Sequence, residues 1–330
     1  MTPSSKKRLS SNKREYMHYV LVGPGALGCL LACTAAKGLG NADTLTILDY
    51  NSERAKQITA KGVLYQEGKT ASSFAVNAVS DPNQLSPVDV VLLCVKSYDI
   101  KSCLDFCTPF LSEQTLLIFM QNGISHLACE AALHGAAAAY GTTTEGATIL
   151  GHGHVLHAGR GTTFLGFLNT PASHFNTLLQ ATNDLFERGG IESHLTSAIL
   201  TKLWGKLFVN VGINALTATL DCKNGELLTL PGASERMENA IQEAIKVANA
   251  KKIEIIGNPV EAARSVCQKT AGNVSSMLQD VRKKRKTEID AINGAVVAFG
   301  KKLGIDTPQN KRLMQQVKDI ERTYTQQAHS

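Results

Sequence analysis

The sequence predicts an α/β protein in two parts, an N-terminal doubly wound sheet followed by an all-helical half. Three observations carry that reading. Short, continuous apolar runs at residues 19–22, 88–95 and 115–120 have the length and β-branched content of strands covered on both faces. Helical stretches separate them, and strands that alternate with helices build a mostly parallel sheet. After about Ser197 the strand signals stop and only helical stretches follow.

The first strand runs into Gly23, Pro24, Gly25, Ala26, Leu27 and Gly28, and a helix then extends to about Lys37. Residues 45–49 read as the second strand. From Gly141 to about Leu168 an alternating, Gly- and Thr-rich texture predicts antiparallel strands at the far edge of the sheet. Helices are expected at 201–220, 236–255, 259–270, 274–303 and 309–322. Breaks between them fall at Asn224-Gly225, Pro231-Gly232, residues 257–259, Gly304 and Pro308.

Composition narrows the function classes. A chain of 330 residues exceeds what one core usually reaches, so two domains are expected. No apolar stretch approaches the roughly 18–20 residues of a membrane span. The net charge of +6 hints at nucleic acid, but Lys6, Lys7, Arg8, Lys13 and Arg14 sit in the first fifteen residues against Glu15 alone, which leaves +2 for the rest. That tail lacks the apolar segment of a secretory signal and is expected to be a disordered extension. The eight cysteines contain no CxxC pair, so a reducing, cytoplasmic setting with no disulfide framework or zinc site is expected.

The glycine run carries more information than its spacing alone. It follows a strand, opens a helix, and has an acid about 20 positions on at Asp49, the context of a dinucleotide fingerprint. The first glycine permits the tight turn, the second lets a pyrophosphate approach the backbone, and the third lets helix and strand pack closely. The anion then rests on the positive end of the helix. The reading is a Rossmann-type domain over 17–196, after a basic tail over 1–16, with an all-helical substrate and catalytic domain over 197–330. Asp49 suits the ribose hydroxyls of NAD(H), whereas Arg54 nearby suits a 2′-phosphate.

A second pattern lies in the helix expected at 201–220. Lys206, Asn210 and Asn214 are four apart and drift only about 80° in total, forming one polar stripe on an otherwise apolar helix. On an isolated helix such a stripe is as consistent with solvent exposure as with function. Polar groups on a buried helix need partners or a polar cavity. Ser275, Ser276 and Glu288, read on a later helix, are candidate partners. Reduction of a ketone leaves an alkoxide that needs a proton donor. A desolvated lysine can serve, and Asn and Ser side chains can fix the substrate without adding charge.

With these residues in view, the chain resembles the ketopantoate reductase family from His18 to about Tyr324. The glycine run, Val95-Lys96, Gln121-Asn122-Gly123, residues 141–144, the helix at 203–216, Asn224-Gly225, residues 275–280 and residues 287–294 carry the resemblance. It implies reduction of ketopantoate to pantoate, in pantothenate biosynthesis, with NADP(H). Lys206 would be the general acid and Glu288 its partner. Asn122, Asn210, Asn214 and Ser276 would bind substrate, and Lys96, Asn122 and Glu288 would also line the cofactor side of the cleft. The family commonly has a basic residue near the end of the second strand. Asp49-Tyr50-Asn51 stands there, which leaves NAD(H) open as the cofactor. The alternatives are a related two-domain 2-keto or 2-hydroxy acid dehydrogenase, or a dinucleotide-sensing protein without chemistry. The expected partner is a small molecule, with no nucleic acid and no membrane, and a homodimer left open.

Other features have blander readings. His152, His154 and His157 show no acidic or Cys neighbour in the sequence, so no metal site is expected. The run Arg282-Lys283-Lys284-Arg285-Lys286 would be spread around a helix and solvated, with some charges able to attract an anionic cofactor or substrate. Trp204 reads as a packing residue.

Overall fold

The computed structural model describes residues 16–85, 87–129, 133 and 135–327, so the tail expected over 1–16 lies almost wholly outside the described residues. The main sheet is built first. Strands β1 (His18–Val22), β2 (Thr44–Leu48), β5 (Asn77–Val79), β6 (Val90–Leu93), β7 (Leu116–Phe119) and β8 (Ala137–Thr143) run parallel. β11 (Thr162–Gly166) joins antiparallel to β8, and β12 (Glu192–Leu195) closes the edge, in the order β12-β11-β8-β7-β6-β1-β2-β5. The apolar runs are continuous because both faces are covered. Val20, Val22, Val91, Leu93, Leu117 and Phe119 point into one core. Their strand neighbours Tyr19, Leu21, Val90, Leu92, Leu116 and Ile118 point into the other.

The second of these cores lies under α1 (Ala26–Gly38), α2 (Ser52–Lys61) and α4 (Ser173–Arg188). The first is shared with α3 (Ile100–Cys107) and with the helical half, where Trp204, Leu207, Phe208 and Val211 pack beneath the sheet. That half comprises α5 (Ile199–Leu220), α6 (Ala233–Ala250), α7 (Pro259–Lys269), α8 (Ser276–Arg282), α9 (Asn293–Leu303) and α10 (Pro308–Gln327). No strand follows Leu195 among the described residues. No helix among them is long and apolar enough to cross a membrane.

Three expectations need correction. The antiparallel texture after Gly141 does not all belong to the main sheet. β9 (Gly146–Gly151) and β10 (His154–Gly159) leave it and join β3 (Val63–Glu67) and β4 (Thr70–Phe74) in a separate four-stranded sheet. The helix expected at 274–303 is two helices, and Glu288 lies in the irregular segment between them. The helix expected to reach Ile255 stops at Ala250. Both early stops have one cause. Lys252 (φ 58°) and Lys284 (φ 50°) adopt the left-handed conformation usually taken by glycine. The next amide then bonds back five residues, Ile253 N to Ala248 O at 3.0 Å and Arg285 N to Asp280 O at 2.8 Å, which is a Schellman closure.

Histidine pairing also differs from expectation. His157 is buried, and its Nε2 lies 2.5 Å from a carboxylate oxygen of Glu145 while Nδ1 lies 2.7 Å from the Tyr65 hydroxyl. The acid is twelve residues away and arrives through the β9–β10 hairpin.

Candidate active site

The glycine run sits where β1 turns into α1. Gly23 takes φ 90°, and a Cβ there would press on the backbone and side chain of Val95 at the end of β6. At Gly28 a Cβ would collide with the Gly23 carbonyl, so the third glycine packs the helix onto the turn. Gly25 differs from both. It is the N-cap of α1, and a Cβ there would meet nothing within 4 Å. Space above a helix N-terminus, with small residues on both sides, fits a pyrophosphate laid against backbone amides. The residues present therefore suit a dinucleotide.

The C-terminal ends of β6 and β7 supply the next groups, at the edge where open parallel sheets bind ligands. Lys96 follows β6 and Asn122 follows β7. Gln121 ties the two strand ends together by donating to Leu93 O at 2.8 Å and Val95 O at 3.2 Å. Gly123 (φ 78°) leans against the Ala291 carbonyl so closely that no Cβ fits, and Ile124 N donates to Ala291 O at 3.2 Å. The turn after β7 is thus seated directly on the helical half.

From that half, α5 presents Lys206, Asn210 and Asn214 on successive turns, as their spacing requires. Lys206 Nζ donates to Asn122 Oδ1 at 2.7 Å, and Asn122 Nδ2 donates to Glu288 Oε2 at 3.2 Å. Lys206 therefore reaches Glu288 through Asn122, not by the direct pairing that the sequence resemblance implies. Glu288 also accepts from Lys96 Nζ at 3.4 Å and from the Ser97 amide at 3.1 Å. Asp280, for which the sequence reading had no role, pairs with Lys96 at 2.8 Å.

These contacts set the charges. Desolvation lowers the Lys206 ammonium from 10.5 to about 8, and the Glu288 carboxylate limits that fall. Burial would lower Lys96 as well, but Glu288 and Asp280 outweigh it and hold its ammonium above the ordinary lysine range. One lysine is made acidic enough to yield a proton near neutral pH, and the other stays a fixed cation.

Asn214 is buried, Asn210 is half-buried, and neither side chain makes a hydrogen bond among the described residues. Both are available to a ligand. The two serines divide their tasks. Ser275 is the buried cap of α8, bonded to the Leu278 amide and to the Thr217 hydroxyl, whereas Ser276 is exposed in the first turn. Asp49 follows β2, but its carboxylate is held by two nitrogens of the Arg54 guanidinium, Nε and Nη2, and by the Asn51 backbone amide. Arg54 in turn lies 5.5 Å from the centre of the exposed Tyr50 ring.

Comparison with known proteins decides the family. Residues 19–170 match the model described as ketopantoate reductase PanE/ApbA, and residues 198–321 match that of its C-terminal region. The chain belongs to the ketopantoate reductase family. The 2-dehydropantoate 2-reductase of Halobacterium salinarum is 32% identical over 93% of this chain and 99% of its own length. That of Vibrio cholerae is 33% identical over 94% and 99%. Among solved structures, the PanE/ApbA family ketopantoate reductase of Ralstonia eutropha has a TM-score of 0.85 at 27% identity, covering 94% of this chain and all of that one. A D-mandelate dehydrogenase bound to NADH and anilino(oxo)acetate has a TM-score of 0.84 at 25% identity, with the same coverage. Family membership makes this chain an oxidoreductase acting on a keto group of a small molecule with a nicotinamide dinucleotide.

Proposed function

We propose that the chain reduces 2-dehydropantoate to pantoate, with Lys206 as the proton donor. The observation that carries this reading is the Lys206–Asn122–Glu288 chain, which joins a desolvated ammonium on α5 to the strand ends beside the glycine turn. When bound, the dinucleotide supplies a hydride to the keto carbon. The chain's residues do the rest. Lys206 gives a proton from Nζ to the substrate oxygen as charge develops there. Asn122 fixes the ammonium, and Glu288 keeps it charged at neutral pH. Asn210, Asn214 and Ser276 bind the substrate's hydroxyl and carboxylate, while Lys96 and Glu288 border the nicotinamide side. Residues 17–196 act as the dinucleotide-binding unit and 197–330 as the substrate unit. The setting is cytoplasmic, without nucleic-acid or membrane partners.

Cofactor choice turns on Asp49 and Arg54. Arg54 holds Asp49 through Nε and Nη2, so it offsets the carboxylate's repulsion of a 2′-phosphate while competing with ribose hydroxyls for the same oxygens. The resemblance supports NADPH, and Asp49 supports NADH. Loss of reduced-nicotinamide absorbance with 2-dehydropantoate tests the reaction. Turnover at or above about 10⁴ M⁻¹s⁻¹ is expected with the preferred cofactor. Asp49→Ala should raise the KM for NADH more than that for NADPH, and the opposite order would remove Asp49 from the ribose site.

A second reading, reduction of another 2-keto acid, is favoured by the likeness to the D-mandelate dehydrogenase. Turnover of a 2-keto acid with an aromatic side chain, but not of 2-dehydropantoate, would select it. A sensor without chemistry has no use for the lowered Lys206.

A further inference from the structure

The five consecutive cations at 282–286 are not spread around a helix. α8 ends at Arg282, which pairs with Asp221 at 2.8 Å, and the chain then turns through the left-handed Lys284. Lys283, Lys284, Arg285 and Lys286 are all exposed on that turn. It is also where the catalytic groups are. The Arg285 amide bonds to the carbonyl of Asp280, whose carboxylate holds Lys96, and Glu288 follows Lys286 by two residues. On the opposite wall Tyr98, two residues after Lys96, donates its hydroxyl to Lys286 O at 3.2 Å, and Lys286 Nζ lies 4.6 Å from the centre of its ring. The turn therefore forms part of the mouth between the two halves. Of the acids near it, Asp280 and Glu288 are turned inward and occupied by Lys96, Ser97 and Asn122, Glu321 accepts from the Thr287 amide, and Asp99 lies within range of the Lys286 charge on the Tyr98 side.

We propose that residues 283–286 form a cationic lip that captures the polyanionic dinucleotide electrostatically before it seats on the glycine turn. This rests on the dinucleotide-binding reading above and adds where binding begins. Like-signed charges focused at a cleft raise association rates by about 10–10³-fold, and salt removes the gain. The gain must also grow with ligand charge, so NADPH, with its extra phosphate, should benefit more than NADH. The turn's position at the carbonyl end of α8 makes the cations favourable there as well. A helix-end role alone, however, predicts no effect on association.

Stopped-flow association of NADPH and NADH, followed by nicotinamide fluorescence without substrate, tests the proposal independently of turnover. Lys283→Glu/Arg285→Glu should bind NADPH about tenfold more slowly at about 20 mM salt, and within about twofold of the parent rate at about 500 mM. NADH should be slowed less. Lys283→Gln/Arg285→Gln should fall between. An unchanged low-salt rate overturns the lip, and so does a loss that persists at high salt, which reports damage to the fold or to the seat itself. Failure of the reductase reading would show in the turnover assay while leaving these rates as they are.

Discussion

Lys206 is a lysine made acidic by its surroundings. Burial on α5 costs the charged form, and the negative charge of Glu288 returns only part of that cost, while Asn122 bridges the two by hydrogen bonds. Asn122 has two jobs that a side-chain amide can do at once, accepting from Lys206 and donating to Glu288. Asn122→Ala removes both, leaving a desolvated ammonium with less to hold it. The general acid must be protonated, so kcat should fall as pH rises through about 8 in the parent protein. In Asn122→Ala the alkaline limb should move to lower pH, with kcat reduced by about 10–100-fold at its maximum. An alkaline limb that does not move in a pH–rate profile would mean that Asn122 does not act through Lys206. At this scale the sequence was informative about residue types and silent about contacts. The i, i+4 spacing put Lys206, Asn210 and Asn214 on one face, because helix geometry fixes that locally. Nothing in a linear sequence places Asn122 between Lys206 and Glu288, or Asp280 against Lys96, since those contacts span 84, 166 and 184 residues.

Helix ends are where sequence and structure part at the next scale. The starts and stops marked by Gly or Pro were legible, as at Pro259, Gly304 and Pro308. Three closures use other residues in the left-handed region, namely Asp221, Lys252 and Lys284. Asp tolerates that conformation by local hydrogen bonding, but Lys gives no such signal, so the sequence predicts α6 too long and α8 and α9 as one helix. An L-residue in this conformation costs about 1 kcal/mol, partly offset when glycine replaces it by the greater freedom of the unfolded chain. Lys252→Gly, at an exposed position away from the site, should therefore stabilise the protein by about 0.5 kcal/mol in denaturant unfolding. Destabilisation of that size would show that the lysine side chain contributes more than its backbone conformation costs. The small sheet was missed for a different reason. β3 and β10 pair across some 90 residues, and their alternation is equally compatible with the edge of the main sheet.

At the scale of the whole molecule, one hydrophobic cluster runs from the strands of the main sheet into α5 and the helices around it. That shared core holds the two halves in register, so side chains from β6 and β7 can meet side chains from α5 and the segment before α9. The two-part outline was legible because continuous apolar runs and helical periodicity are local signals. The relative placement of the parts was not, because it depends on which faces bury each other. The arrangement separates two tasks. The glycine turn belongs to the sheet and seats the dinucleotide, while Lys206 belongs to α5 and moves a proton. The most direct test of that division is Lys206→Ala, with kcat and the dinucleotide Kd measured side by side. A kcat lowered by about 10²–10⁴-fold, with the Kd within about threefold of the parent value, is the predicted result. A retained kcat, or a Kd that weakens in step with it, would contradict the assignment of Lys206 as the proton donor.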